Sequence, residues 1–206
     1  MRLRELRPTA SQCSRVITGT GKDSSSWPGY LHELTNNKQQ TRGIREAGIW
    51  TGNRHTDRGH ENEPLARECF KRLMKMEVAE VGFITRDDLI WGCSPDGLVW
   101  HRGEKVAGIE IKCPQGPKHI EHLEMEDVPS EYVQQIHCSM VVTGFNFWYF
   151  MSYAPCWKPR IIRVERNAYT AKVESAMNRF QDYFVAGRAR LIDTHGDATE
   201  GVNVDE

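Results

Sequence analysis

The chain has no apolar run near the roughly 20 residues that cross a bilayer, no C-x-x-C pair among its six cysteines, and no internal repeat or low-complexity linker. Each absence excludes a class. Without a long apolar run a membrane-spanning role is not expected, and without paired cysteine spacing neither is a zinc knuckle. Cys13, Cys69, Cys93, Cys113, Cys138 and Cys156 are scattered, which suits thiols in a reducing compartment better than a disulfide framework. The N-terminal stretch shows no charged start followed by an apolar segment and a small-residue cleavage site, so a cytoplasmic location is expected rather than export.

Net charge is also scarce, at -1 for the whole chain, but it is unevenly spread. Residues 1–58 hold ten Lys/Arg against five Asp/Glu, whereas residues 191–206 hold five acids and no Lys or Arg. A nearly neutral total therefore allows a basic face able to hold phosphates. With 206 residues, the chain is expected to form a single domain over 1–206 with its own core. Within it, 1–57 reads as helical turns joined by loops, and 188–206 as a polar, flexible tail.

Periodicity supplies the elements. Leu65, Cys69, Phe70, Leu73 and Met74 recur at helical steps and predict a helix over about 61–76, with Pro64 in its first turn. Three β-like runs follow, VAEVGFIT, LIWGCSPDGLVW and VAGIEIKC, with RGEK as a hairpin turn between the last two; together they predict an antiparallel meander. Ser130 is expected to cap a second helix carrying Val133, Ile136, Met140 and Val141 on one face, and Gly144 to stop it. A strand pair, FNFWYFMSY and RIIRVER, precedes a last helix near 168–186 that should end at Gly187.

The informative stretch is SPDGLVWHRGEKVAGIEIKCP, residues 94–114. Strand alternation turns Glu110 and Lys112 to one face and Ile109, Ile111 and Cys113 to the other. Asp96 lies fourteen residues before Glu110, a spacing that two adjacent antiparallel strands bring to the same end. Two close carboxylates repel unless a cation neutralises them, and hard oxygen donors suit Mg2+, with Mn2+ able to substitute. Asp96, Glu110 and the Ile111 carbonyl are the candidate ligands. Lys112 then adds a positive charge beside the attacking water and the reacting phosphate. Alone, this spacing is weak evidence, because an acid and a base alternating on a strand commonly mark a solvated face.

The surrounding motifs make it specific. VITGT at 16–20, RGHENEP at 58–64, GCSPDGL at 92–98, GIEIKCP at 108–114 and YVQQIHCSMVVTGFNFWYF at 132–150 resemble, in order, the phage-type PD-(D/E)xK exonucleases, the family of lambda exonuclease and the YqaJ-type recombinases. The resemblance implies an α/β, restriction-endonuclease-like fold: a mixed central sheet flanked by helices. It also implies Mg2+-dependent, 5′-to-3′ digestion of one strand of linear double-stranded DNA to mononucleotides, leaving 3′ single strands for annealing. Asp96 and Glu110 match its metal-binding acids and Lys112 its catalytic lysine. Glu61 matches a helix-borne glutamate at the metal, Gln135 a glutamine facing the site, and Thr20 and Ser94 hydroxyls near the 5′-phosphate. The position of the family's phosphate-anchoring arginine is taken by Cys13, so either Arg15 or a more distant arginine such as Arg7 does that work, or recognition of the DNA end differs. A homotrimeric ring, a single-strand annealing protein as partner, and a phage or prophage gene acting inside a bacterial cell are implied likewise. An endonuclease or nickase on the same site, or a catalytically silent DNA-binding module, are the rival readings. His119 and His122 read as loop histidines, and the aromatic run from Phe145 to Phe150 as a strand buried on both faces.

Overall fold

The computed structural model describes the backbone at residues 7–43 and 54–195 and side chains at 7–36 and 61–195. A 3-10 helix, Ala10–Arg15, precedes α1 (Trp27–Gly43) and α2 (Arg54–Met74). Five short strands come next: β1 (Glu77–Ala79), β2 (Ile84–Thr85), β3 (Gly92–Cys93), β4 (Gly97–His101) and β5 (Glu104–Lys112). Then follow α3 (Gly116–Glu124), α4 (Ser130–Thr143), β6 (Phe147–Ser152), β7 (Arg160–Glu165) and α5 (Ala168–His195). The main sheet has the order β1-β4-β5-β6-β7, and β2 and β3 form a separate two-stranded ribbon. Only β5 and β6 run parallel within the main sheet. A parallel pair needs a crossover, and α3 and α4 provide it. The expected mixed sheet flanked by helices is the fold observed.

Alternation along β5 divides the interior. Ile109 and Ile111 join Ala66 and Phe70 of α2, Val78, Val99, Tyr149 and Met151 in one apolar layer. On the opposite face Trp148 and Phe150 of β6 pack with Ile136 and Met140 of α4. The aromatic run is thus core on both sides, because neighbours in β6 contribute to different layers. Gly108 is fixed by this packing: a Cβ there would lie 2.2 Å from the Trp148 ring. A third apolar cluster joins the 3-10 helix, α1, α4 and α5 around Cys13, Tyr30, Cys138 and Phe180. All six cysteines are free, and no helix among the described residues is long and apolar enough to cross a membrane.

Several boundaries differ from the expectation, each for a physical reason. Helix α2 begins at Arg54, so Pro64 lies inside it, where a proline removes a helical hydrogen bond and crowds the carbonyl four residues back. The run VAEVGFIT is split: β1 pairs with β4, whereas β2 pairs with β3 in the ribbon, so the three runs do not form one meander. His119 and His122 stand in helix α3, not a loop, and both are buried. Helix α4 is preceded by Pro129 at the N-cap, so Ser130 is its first residue rather than its cap, and it ends as expected, with Gly144 left-handed at φ 76° and its N–H donating to the Met140 carbonyl. Helix α5 instead runs through Gly187 to His195. At Gly187 a Cβ would come 2.6 Å from Leu31 Cδ2, so this glycine serves the close approach of α1 to α5. The tail expected over 188–206 is accordingly helical to 195, and residues 196–206 lie outside the described residues.

Candidate active site

The hairpin of β4 and β5 sets the acids in place. Arg102 and Gly103 turn it with φ of 51° and 84°, both left-handed as a tight hairpin turn requires. Gly97 is then paired with Ile109. Just before β4, the Asp96 N–H donates to the Ile109 carbonyl at 3.1 Å. The Asp96 carboxylate in turn accepts the Ile111 N–H at 2.6 Å. Asp96 is thereby held against the backbone on either side of Glu110.

Glu110 is 2% exposed, and its Oε1 accepts from Lys112 Nζ at 2.6 Å. The expected pairing of these two side chains on one strand face is what the structure shows. Burial, reinforced by the charge of Glu110, pushes the Asp96 carboxyl up to about 8. For Lys112, burial alone would lower the ammonium, but the charge and hydrogen bond of Glu110 outweigh it and the net direction is upward. The Lys112 Nζ also lies 5.2 Å from the centre of the Tyr132 ring.

Helix α2 brings a further acid, two positions from the expected one. Glu61 is exposed, whereas the charge of Glu63 is felt at Asp96. Two residues along a helix turn the side chain by about 200°. The buried Arg67 explains why Glu63 faces inward: its guanidinium lies 3.6 Å from the Glu63 carboxylate, donates to the Asp96 carbonyl at 3.1 Å, and pairs with Glu80. A signal was available in the sequence. Counting back from the apolar positions Ala66 and Phe70 by three and by seven gives 63.

The remaining expected residues are placed as follows. Gln135 is half-buried on α4, one turn beyond Tyr132, and Ser94 is half-buried between β3 and β4. Thr20 is exposed, with its hydroxyl 3.0 Å from that of Thr18. Its loop is docked on α4 through Gln134, a residue without an expected role: its amide, oriented to satisfy its neighbours, accepts the Gly19 N–H and donates to the Ser130 carbonyl, both at 3.1 Å. Arg15 donates to Glu33 at 2.6 Å and lies 4.3 Å from the centre of the Tyr30 ring. Cys13 is wholly buried, so its position offers nothing to a phosphate, and Arg7 is half-buried.

Among the described residues no three carboxylate, imidazole or thiol groups converge as a ready metal cage. The donor chemistry nonetheless fits a hard divalent cation. Asp96 and Glu110 are oxygen donors, Asp96 half-buried and Glu110 buried, and burial first, then the Glu110 charge, raise the Asp96 carboxyl. A cation would oppose that shift.

The sequence profile of the YqaJ-like viral recombinase domain matches residues 1–146. The crystal structure of the alkaline exonuclease LHK-Exo from Laribacter hongkongensis is 29% identical, with a TM-score of 0.76, covering 93% of this chain and 94% of that one. The structure of LHK-Exo in complex with dAMP is 30% identical, with a TM-score of 0.77 and coverage of 94% and 95%. A phage-related exonuclease from Haemophilus somnus shares the fold at 11% identity, with a TM-score of 0.65 over 91% of this chain and 97% of that one. No curated protein matches the chain. The profile spans well over half of the sequence and the similarity to LHK-Exo nearly all of it, so the chain belongs to the YqaJ-like viral recombinase domain family, with the fold of the phage-type exonucleases.

Proposed function

We propose that the protein is a divalent-metal-dependent exonuclease that digests one strand of linear double-stranded DNA from its 5′ end, releasing mononucleotides. The observation that carries this reading is the Asp96, Glu110 and Lys112 corner, two carboxylates and an ammonium fixed by one hairpin. The likeness to LHK-Exo, which has been solved with dAMP, supports an exonuclease that releases single nucleotides. Asp96, Glu110 and the Ile111 carbonyl would hold Mg2+ or Mn2+, with Glu63 rather than Glu61 as the helix-borne acid. The bound cation supplies Lewis-acid stabilisation of the phosphate and a more acidic water.

The chain's own groups do the rest. Lys112 places a positive charge where the attacking water and the developing phosphate charge meet. Arg67 holds the Glu63 carboxylate and the Asp96 peptide in one arrangement. Gln135 borders the site from α4, and Thr20, Ser94 and Arg15 contact the 5′-phosphate end, Arg15 by exchanging its exposed Glu33 partner for phosphate. A homotrimeric ring working with a single-strand annealing protein in the bacterial cytoplasm completes the proposal.

The test is digestion in Mg2+ of linear duplex DNA labelled at its 5′ ends, beside closed circular duplex labelled internally. The proposal expects labelled mononucleotides from the linear form alone, and none after chelation. Cutting of the closed circle would replace it with an endonuclease, and binding without cutting of either form would make the protein a silent DNA-binding module.

A further inference from the structure

Two contacts hold the Lys112 ammonium, and they differ in kind. Glu110 is one of the acids proposed for the metal, and an oxygen engaged by a divalent cation is shared less with a lysine. The face of Tyr132, 5.2 Å from Nζ, attracts an ammonium through its ring quadrupole and is no ligand for a hard cation. It is the partner that Lys112 keeps when Glu110 is engaged.

The ring is itself fixed with some care. Tyr132 stacks on Phe150 at 5.4 Å and 23°, and the edge of His122 meets it at 6.2 Å and 88°. Behind His122 lies a buried polar cluster: the Ser152 hydroxyl is 2.8 Å from Nδ1 of His119 and 2.9 Å from Nδ1 of His122, and Nε2 of His119 is 2.9 Å from the Lys158 carbonyl. A carbonyl only accepts, so with both rings neutral His119 carries its proton on Nε2. Its Nδ1 then accepts from Ser152, and Ser152 accepts from Nδ1 of His122. One proton arrangement thus fixes the ring that fixes Tyr132. Ser152 is also the strand partner of Lys112 across β5 and β6. These buried polar groups lie outside the acid pair.

We infer that Tyr132 is a positioning residue for Lys112, its ring face keeping the ammonium at the site while Glu110 is otherwise engaged, with His119, Ser152 and His122 as its brace. This rests on the nuclease reading above. In single-turnover digestion of linear duplex with excess enzyme, Tyr132→Leu is expected to lower the rate about tenfold. Its affinity for DNA in Ca2+ and its melting temperature stay near wild type, and Tyr132→Phe, which keeps the face and loses the hydroxyl, recovers most of the rate. In a Lys112→Ala background Tyr132→Leu costs nothing further, because the ring then has nothing to hold. An equal loss in both backgrounds overturns the inference, as does a Tyr132→Phe enzyme as slow as Tyr132→Leu. If Tyr132→Leu fails to fold, Tyr132→Met carries the same test. A wild-type protein that digests no DNA removes the nuclease reading and this inference with it, whereas an active wild type matched by Tyr132→Leu removes the inference alone.

Discussion

Two elements deliver acids to the same end of the sheet, and they do so by different means. In the β4–β5 hairpin, strand pairing sets Asp96 beside Ile109 and Ile111, where its N–H and its carboxylate bond their backbones, and sends Glu110 and Lys112 to one face. In α2 the glutamate that faces in depends on which side of the helix is buried. The phase of that helix is set by Ala66 and Phe70 entering the sheet's apolar layer and by Arg67 reaching the Asp96 carbonyl. A strand position is therefore legible from spacing, whereas a helix position is legible only once the buried side of the helix is known. Glu61 of α2 is exposed, whereas Glu63 lies beside Arg67 and its charge reaches Asp96.

The largest way to break the comparison is at the hairpin. Asp96→Asn is expected to lower cleavage at least about a thousandfold and to abolish the heat of Mn2+ binding in titration calorimetry. Unchanged Mn2+ affinity would remove Asp96 from the ligand set. The helix sharpens it: Glu63→Gln should weaken the metal dependence of cleavage about 10- to 100-fold, and Glu61→Gln should leave it within about twofold. Equal effects would mean that the helix phase does not select the acid.

A pH dependence follows from the same corner. The folded protein holds the Asp96 proton up to about 8 against an ordinary value of 3.8, so the unfolded chain loses that proton first. In metal-free protein this penalty on folding is absent in acid and grows as pH rises from about 4 through about 8. Asp96→Asn should accordingly raise the melting temperature of the chelated protein at pH 8 and leave it nearly unchanged at pH 4. Divalent metal should raise the wild-type melting temperature by mass action and leave that of the variant unmoved. The smallest effect belongs to packing away from the site. Gly187→Ala, whose added Cβ meets a leucine methyl rather than backbone, should cost about 1 kcal/mol in urea unfolding, with activity retained.

The fold class was legible through the order of the family motifs, and the hairpin, the stop at Gly144 and the buried aromatic strand because they rest on short-range patterns. What was not legible depended on distant partners. Gly187 reads as a helix stop until Leu31 is placed against it, and His119 and His122 read as loop residues until Ser152 is found beneath them. The short HIEH segment is hard to recognise as a helix because its buried face is polar. Cys13 and Arg15 show the same limit: the 3-10 helix buries one and turns the other onto Tyr30 and Glu33, and neither outcome is written in the local sequence.

The central claim is that one hairpin supplies both the acids that hold a cation and the ammonium that serves the reaction. Single-turnover digestion of 5′-labelled linear duplex in Mg2+ by Lys112→Ala, paired with DNA affinity in Ca2+, tests it most directly. The expected rate is at least about a thousandfold below wild type with affinity within about threefold, because Lys112 acts on the transition state more than on the bound DNA. Cleavage near the wild-type rate would contradict it.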